Sequence, residues 1–504
     1  MRTGDPRDSE TGATASHRHL ARTLPWIVTG LLSVLLVAAH AQYISLGGFH
    51  FYDEFRTLDR SAAFATHGDW MTVYSVQEPS FRKPPLQYWM SAGLLEAGVA
   101  ELPALRLPSL LFAFATLMAT ALLAAAILPG NLWAMPAAVL LFSGSTMFWE
   151  HALSAMLDIG AVFFATLTLA ATILALKRPA WWYVAAAAIT FGALQKAPVG
   201  LFLSGFFLLG LSLTRRWHGL GFRAIRAERA FRIAAMIAVA GAFAWPVLQS
   251  LLYGPAAIEE LVGQQMVQRF IPTDRVEDIR RGGDVLGLLI GNEALLRWAG
   301  IAAIVLLPWR LKRSELLPLP GLFALYALAV TITGGHVTPR YSLVFLPMLA
   351  AALACLVLTL PGRGWLAAMV IGALSWGSGG PVRPAASLAL DTKGGYVAQI
   401  EAFRRVGAQL RPEETLVACF FVGEPRLIPS IASVYGAGGR VFLRPDENGK
   451  AFERRIAAGA YDGPLRGLCR PDELERIAER FDDVRIVEHL PQHVIWTASG
   501  ARHR

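Results

Sequence analysis

Three stretches of the chain, Leu24–Leu46, Leu107–Leu128 and Ile159–Leu176, contain no Asp, Glu, Lys or Arg. As helices, each crosses most or all of roughly 30 Å of hydrocarbon, and no soluble core calls for so many such runs. Only 16% of the 504 residues are charged and 54% are hydrophobic, whereas a soluble domain carries about 25% charged residues. The expected fold class is therefore an α-helical polytopic membrane protein. The first run is too long for the apolar core of a signal peptide and reads as a retained helix.

Eleven crossing helices are expected, near residues 24–46, 102–128, 132–149, 156–176, 181–195, 198–214, 233–253, 288–309, 316–334, 341–360 and 364–380. Their connections are asymmetric in charge. Arg215, Arg216, Arg223, Arg226, Arg229 and Arg232 crowd one connection, Lys177 and Arg178 another, and Arg310, Lys312 and Arg313 a third. Helix counting puts all three on the same side as the N-terminal tail with its Arg2, Arg7, Arg18 and Arg22, and positive charge marks that side as cytoplasmic. The net charge of +9 is thus read as membrane orientation, with no nucleic-acid partner. The opposite face receives segments 47–101, 150–155, 196–197, 254–287 and 335–340, and the tail from about 381.

The expected organisation is a cytoplasmic tail over 1–23, a membrane domain over 24–380 that includes a large outer loop at 47–101, and a small soluble α/β domain over 381–504. Within the loop, Leu86–Val99 reads as a helix lying along the interface. The tail offers helix patterns at Ile400–Leu410 and Pro471–Phe481 and strand patterns at Thr415–Phe421, Arg440–Leu443 and Val484–Val487. Of the three cysteines, Cys355 falls in a hydrophobic run. Cys419 and Cys469 fall in the tail, where an outer compartment permits a disulfide; two free thiols are the equal alternative. No metal-ligand spacing is present.

Chemistry-bearing residues gather on the outer face. Asp53-Glu54-Phe55-Arg56 follows the first crossing helix, and a carboxylate there can take a proton from an alcohol as that alcohol attacks a sugar carbon; a solvated helix end is the plain alternative. Lys83 sits on the rigid corner Arg82-Lys83-Pro84-Pro85 and can meet a phosphate as a point charge. Asp158 opens an otherwise apolar helix, where a lone acid is a functional candidate or a partner of the helix dipole. Lys196, Arg269, Arg340 and Tyr341 follow at later turns. Taken singly these cations are ordinary interfacial anchors. Together they fit an anionic lipid headgroup beside a catalytic base.

In this order the motifs resemble integral membrane glycosyltransferases of GT-C type that use polyprenyl-phosphate sugars. The nearest likeness is to the 4-amino-4-deoxy-L-arabinose lipid A transferases, with protein O-mannosyltransferases more distant. The resemblance runs through Asp53-Glu54-x-Arg56, Gly68-Asp69-Trp70, Lys83-Pro84-Pro85-Leu86 with Tyr88-Trp89, Arg106-Leu107-Pro108-Ser109, Met156-Leu157-Asp158, Lys196-x-Pro198-x-Gly200, Gln268-Arg269-Phe270 and Arg340-Tyr341 with Pro347, and covers about residues 24–360. It implies Asp53 as catalytic base or acceptor-positioning group, with Glu54 beside it and Asp158 as a second acid. It implies Lys83, Arg56, Lys196, Arg269, Arg340 and Tyr341 as donor-binding residues. The implied donor is an undecaprenyl-phosphate-like sugar, the acceptor lipid A or another glycan, and the place the periplasmic side of a bacterial inner membrane among its lipids.

Two positions depart from the arabinose-transferase pattern. Arg82 stands where a Glu precedes the Lys-Pro-Pro, and Gln265-Met266 stands where a His precedes Gln-Arg-Phe. Neither supplies a ligand for a hard cation, so no metal or other cofactor is expected. A transporter or flippase of lipid-linked substrates and an inactive lipid-binding scaffold are the competing readings. A transporter keeps its charges near the midplane of repeated halves, whereas here they gather at one face without a repeat.

Overall fold

The computed structural model describes residues 7–49, 52–76, 78–261, 294–332, 339–362, 364–377, 380–390, 397–419, 428–435, 440–443 and 449–502. By packing, the chain divides into two compact units. One comprises Met1–Ile44, Phe81–Gln87 and Arg106–Ser387; the other comprises Ser45–Ser80, Tyr88–Leu105 and Leu388–Arg504.

The helices through the first half are α1 (Arg7–Ala41), α2 (Tyr52–His67), α3 (Leu86–Glu96), α4 (Glu101–Ile127), α5 (Ala134–Ser143), α6 (Thr146–Ala152), α7 (Asp158–Ala175), α8 (Trp181–Gln195) and α9 (Val199–Leu213). Beyond them the first unit contains Arg229–Tyr253, Ala294–Arg310, Pro318–Ile332, Leu346–Leu358 and Gly364–Gly377. Among the described residues, four stretches are long and apolar enough to cross a membrane: Thr23–Ser45, Glu101–Ile127, Asp158–Ala175 and Arg229–Tyr253. Their surroundings differ. The apolar window of α7 is 83% buried against other helices, whereas that of Arg229–Tyr253 is 22% buried, with Met236, Val239, Phe243, Val247 and Leu251 exposed. An uncharged face of that size is stable against lipid and not against water.

One sequence expectation needs correction. The stretch 132–149 is two helices. The first, α5, stops at Ser143, and Ser145 then caps a new helix by accepting the Phe148 N–H on its hydroxyl at 3.1 Å, the ordinary service of a serine at that position. At its end, α5 rises only about 15 Å.

The basic connections of the first unit meet at one end. Arg313 donates to the carbonyls of Ala126 and Ile127 at 2.9 and 2.5 Å, closing the last turn of α4, where a cation complements the helix dipole. Its guanidinium also pairs with Glu315 at 2.8 Å. Lys177 lies within electrostatic reach of Glu315, and Ser314 donates to the Trp217 carbonyl at 3.0 Å. The opposite end of α7, roughly 27 Å away by helix rise, carries Asp158.

In the second unit β1 (Tyr74–Ser75) pairs with β2 (Glu78–Pro79), β6 (Phe481–Asp482) pairs with β9 (Gly500–Ala501), and a five-stranded sheet has the order β4-β3-β5-β8-β7, built from β3 (Thr415–Cys419), β4 (Arg440–Leu443), β5 (Leu465–Cys469), β7 (Arg485–His489) and β8 (Val494–Ala498). Strands β3, β4 and β5 run parallel and β8 and β7 antiparallel to their neighbours. Trp496 of β8 lies fully buried across β5 and donates its indole N–H to Cys469 Sγ at 3.2 Å. Only a glycine fits beneath it, because any side chain at Gly467 overlaps the indole. Cys419 and Cys469 are joined in a disulfide, and the remaining cysteine, Cys355, is buried in the first unit.

Candidate functional site

In the first unit α7 and α8 form an antiparallel pair, so the start of one meets the end of the other. Asp158 is the first residue of α7, and Lys196 follows the last residue of α8. The Lys196 ammonium donates to Asp158 Oδ1 at 2.5 Å, with the side chains 16% and 8% exposed. The ammonium also stands 4.9 Å from the centre of the Tyr341 ring, and the Arg340 guanidinium 6.0 Å from the same ring, distances at which a cation is held by an aromatic face. Arg340 and His151 both lie within electrostatic reach of Asp158. His151 is buried and hydrogen-bonded through Nδ1 to the Met147 carbonyl at 2.9 Å. Four residues singled out from the sequence, Asp158, Lys196, Arg340 and Tyr341, are thus one cluster. His151 was not among them; its sole sequence signal is its place on the short connection before Asp158.

Lys83, also in the first unit, is half-buried on a segment fastened on both sides. Before it, Glu260 accepts the Phe81 N–H at 2.9 Å and the Arg82 guanidinium at 2.6 Å. After it, Pro84 and Pro85 are buried and Gln87 is fully enclosed. Arg82, which departs from the arabinose-transferase pattern, is here one half of an ion pair. Among the described residues no three His, Cys, Asp or Glu side chains stand together as a metal-binding group.

Asp53, Glu54 and Arg56 belong to the second unit, in the first turns of α2, where carboxylates favour the helix N-terminus. Glu54 is fully buried, while Asp53 and Arg56 are half-buried; of the two acids, Asp53 is the reachable one. One and two turns further along the same helix, Arg56 and Arg60 follow. Arg60 donates to the Tyr88 hydroxyl at 2.7 Å, both side chains being buried, and Asp53 lies within electrostatic reach of each.

The Gly68-Asp69-Trp70 motif fastens the loop after α2. Asp69 accepts the Met71 N–H at 2.8 Å, and the Trp70 carbonyl accepts the Trp89 indole N–H at 2.8 Å. Arg269, with Gln268 and Phe270 and the departing pair Gln265-Met266, lies outside the described residues.

No protein-family model and no curated protein matches the chain. Solved structures do. ArnT from Cupriavidus metallidurans bound to undecaprenyl phosphate is similar over 94% of this chain and 98% of its own, with a TM-score of 0.69 and 16% identity. An Archaeoglobus fulgidus oligosaccharyltransferase tethered to an acceptor peptide is similar over 94% of this chain and 74% of its own, at TM-score 0.55 and 11% identity. The mycobacterial arabinofuranosyltransferase AftD is similar over 96% of this chain, which spans 40% of it, at TM-score 0.51 and 15% identity. These proteins share little sequence with this one and an arrangement of helices over nearly its whole length: the chain has the fold of the GT-C-type glycosyltransferases.

Proposed function

We propose that the protein transfers a sugar from a polyprenyl-phosphate donor to a cell-envelope acceptor, on the periplasmic side of the bacterial inner membrane. The observation that carries this reading is the cluster of Lys196, Arg340 and Tyr341 about Asp158 at the end of apolar helices, opposite the end where the basic connections meet. Cations beside an acid at that depth suit a phosphate headgroup whose chain lies in lipid. The undecaprenyl phosphate in the similar ArnT structure makes such a carrier the natural donor to test. The Cys419–Cys469 disulfide accords with a tail in an oxidising compartment.

In this reading Asp53 takes the proton of the acceptor hydroxyl as its oxygen bonds to the anomeric carbon. The bond from that carbon to the phosphate oxygen breaks, the electron pair leaves on the lipid phosphate, and the sugar inverts. Lys83, with Arg56, Lys196, Arg269 and Arg340, stabilises the charge on the departing phosphate, and Asp158 holds Lys196 in place. Positioning and charge stabilisation carry the step, and it calls for no metal.

Titration of the full chain in lipid nanodiscs with undecaprenyl phosphate and with uncharged undecaprenol tests it. The phosphate is expected to bind, and the alcohol far more weakly. Lys83→Ala is expected to lower phosphate affinity by roughly 30-fold, the size of one lost hydrogen bond to a charged group. Equal binding of the two lipids, or unchanged affinity in Lys83→Ala, contradicts the assignment.

A further inference from the structure

The three first-unit segments bearing Lys83, Asp158 and Lys196 are tied together behind those side chains by a closed chain of amides. Gln195, the residue before Lys196, donates from Nε2 to Gln87 Oε1 at 2.7 Å and to the Leu157 carbonyl at 3.1 Å. Gln87, four residues after Lys83, donates from Nε2 to Ser109 Oγ at 3.0 Å. Ser109 in turn donates to the Met156 carbonyl at 3.3 Å. Gln87, Ser109 and Gln195 are all 0% exposed. Both ends of the chain therefore finish on the two carbonyls that precede Asp158.

The polarity of this network is set by the backbone. A carbonyl only accepts, so the Gln195 nitrogen must face Leu157. With its nitrogen so turned, Gln195 needs an acceptor in Gln87, whose own nitrogen then faces Ser109, whose hydroxyl is left to donate to Met156. Flipping Gln195 would set its oxygen against the Leu157 carbonyl, and flipping Gln87 alone would set its nitrogen against that of Gln195. The arrangement also has a cost. Gln195 Oε1 is buried without a hydrogen-bond partner, a penalty that a leucine of similar size would not incur. Gly160 makes room for this: an added Cβ there would stand 2.5 Å from Gln195 Nε2.

The geometry points to Gln87, Ser109 and Gln195 as positioning residues that set the Lys83 segment, Asp158 and Lys196 in one fixed register for the phosphate-bearing substrate. They touch no substrate and act through the lysines and the acid. Their catalytic consequence rests on the function proposed above; their effect on Lys196 does not.

The test uses the full chain in nanodiscs and two readouts. The first is the rate at which a small amine-acylating reagent modifies Lys196, followed by peptide mass spectrometry, in wild type, Gln195→Leu and Gln87→Leu. Half-buried and paired to Asp158, Lys196 is expected to react slowly in wild type and at least tenfold faster in either variant, with a cooperative unfolding transition retained. The second is turnover. Gln195→Leu is expected to lower kcat by about 10- to 100-fold, as a small misplacement of reacting groups does, with a smaller change in KM, and the double variant to fall no further than the worse single one.

Lys196 as protected in the folded variants as in wild type overturns the inference, as does wild-type kcat in them. Should Gln195→Leu lose its unfolding transition, Ser109→Ala, which removes one hydroxyl, is read in the same way with the same two contradicting results. A wild-type chain that transfers no sugar while Lys196 reactivity rises in the variants breaks the functional reading and leaves the positioning role standing.

Discussion

Asp158 and Asp53 both stand in the first turn of a helix, a place where the backbone dipole favours a carboxylate, yet they are held in opposite ways. Asp158 is 6% exposed, with an oxygen taken by the Lys196 ammonium at 2.5 Å and its preceding carbonyls fixed by the buried Gln195 amide and Ser109 hydroxyl. Asp53 is half-buried on α2, beside a Glu54 that is fully enclosed. An acid paired to a lysine at 2.5 Å is suited to hold that lysine, and in the proposed function the other, half-buried acid takes the proton. In the proposed function the same local signal in the sequence serves two ends, and the surroundings decide which.

Exchanging each acid for its amide is the sharpest way to break that contrast. Asp53→Asn is expected to lower kcat for sugar transfer by about 10³-fold, the range of a lost general base. Asp158→Asn should cost less in turnover, roughly 10- to 100-fold, through a misplaced Lys196. The reverse order in steady-state rates would exchange the two roles.

Stability should separate the acids too. Lys196→Ala leaves Asp158 buried beside a missing partner, a loss on the order of 3–5 kcal/mol, while Lys196→Met with Asp158→Asn removes both charges and should cost clearly less. Thermal unfolding of the three chains measures this, and additive losses would mean that the two side chains do not act as a pair.

The smallest effect concerns a third acid, Asp59, one turn and a half beyond Asp53. It is 2% exposed and accepts the Val76 N–H at 2.9 Å and the Ser75 hydroxyl at 3.0 Å. Burial pushes its carboxyl above the ordinary value of 3.8, against hydrogen bonds from Ser433, Val76 and Ser75 and the charge of Arg60. A folded-state value above the unfolded one means that the neutral form is favoured by folding. The stability this contributes is fully present below about pH 3.8 and is lost as pH rises through the raised value. Asp59→Asn is therefore expected to flatten the decline in unfolding midpoint between acid and neutral pH. An unchanged pH profile would show that the burial of Asp59 has no bearing on it.

Much of this was legible in the sequence, for physical reasons that also mark where it stopped. The apolar run at 181–195 is a helix over Trp181–Gln195 because nothing within it offers the backbone another partner. The break inside 132–149 turned on the Ser145 cap, a side-chain bond that hydropathy does not register.

In the tail, β3 and β4 were expected from their β-branched or apolar runs; β8, also such a run, and β5, which is not one, were not among the expected strands. Strand β5 reads Leu465-Arg466-Gly467-Leu468-Cys469, with a glycine demanded by Trp496 and an arginine neutralised by Glu414 through two contacts of 2.7 and 2.9 Å. Both exceptions depend on residues far away in the chain. The same holds at the site. Asp158 and Lys196 each stood out as charges at the ends of apolar helices, and alternation of helices put them at one end. Gln87 and Ser109 carry no charge and no distinctive spacing. Their role lies in which carbonyl each faces, and that exists only once α4, α7 and α8 have packed.

The most direct test of the central claim is chemical. The full chain is reconstituted in proteoliposomes with polyprenyl-phosphate sugars extracted from a bacterial membrane, together with the envelope glycolipids of the same membrane, and both lipid pools are followed by mass spectrometry. The account predicts free polyprenyl phosphate accumulating in step with a glycolipid one sugar heavier, in wild type and not in Asp53→Asn. Lipid-linked sugar that stays intact while changing leaflets, or transfer that continues unabated in Asp53→Asn, would contradict it.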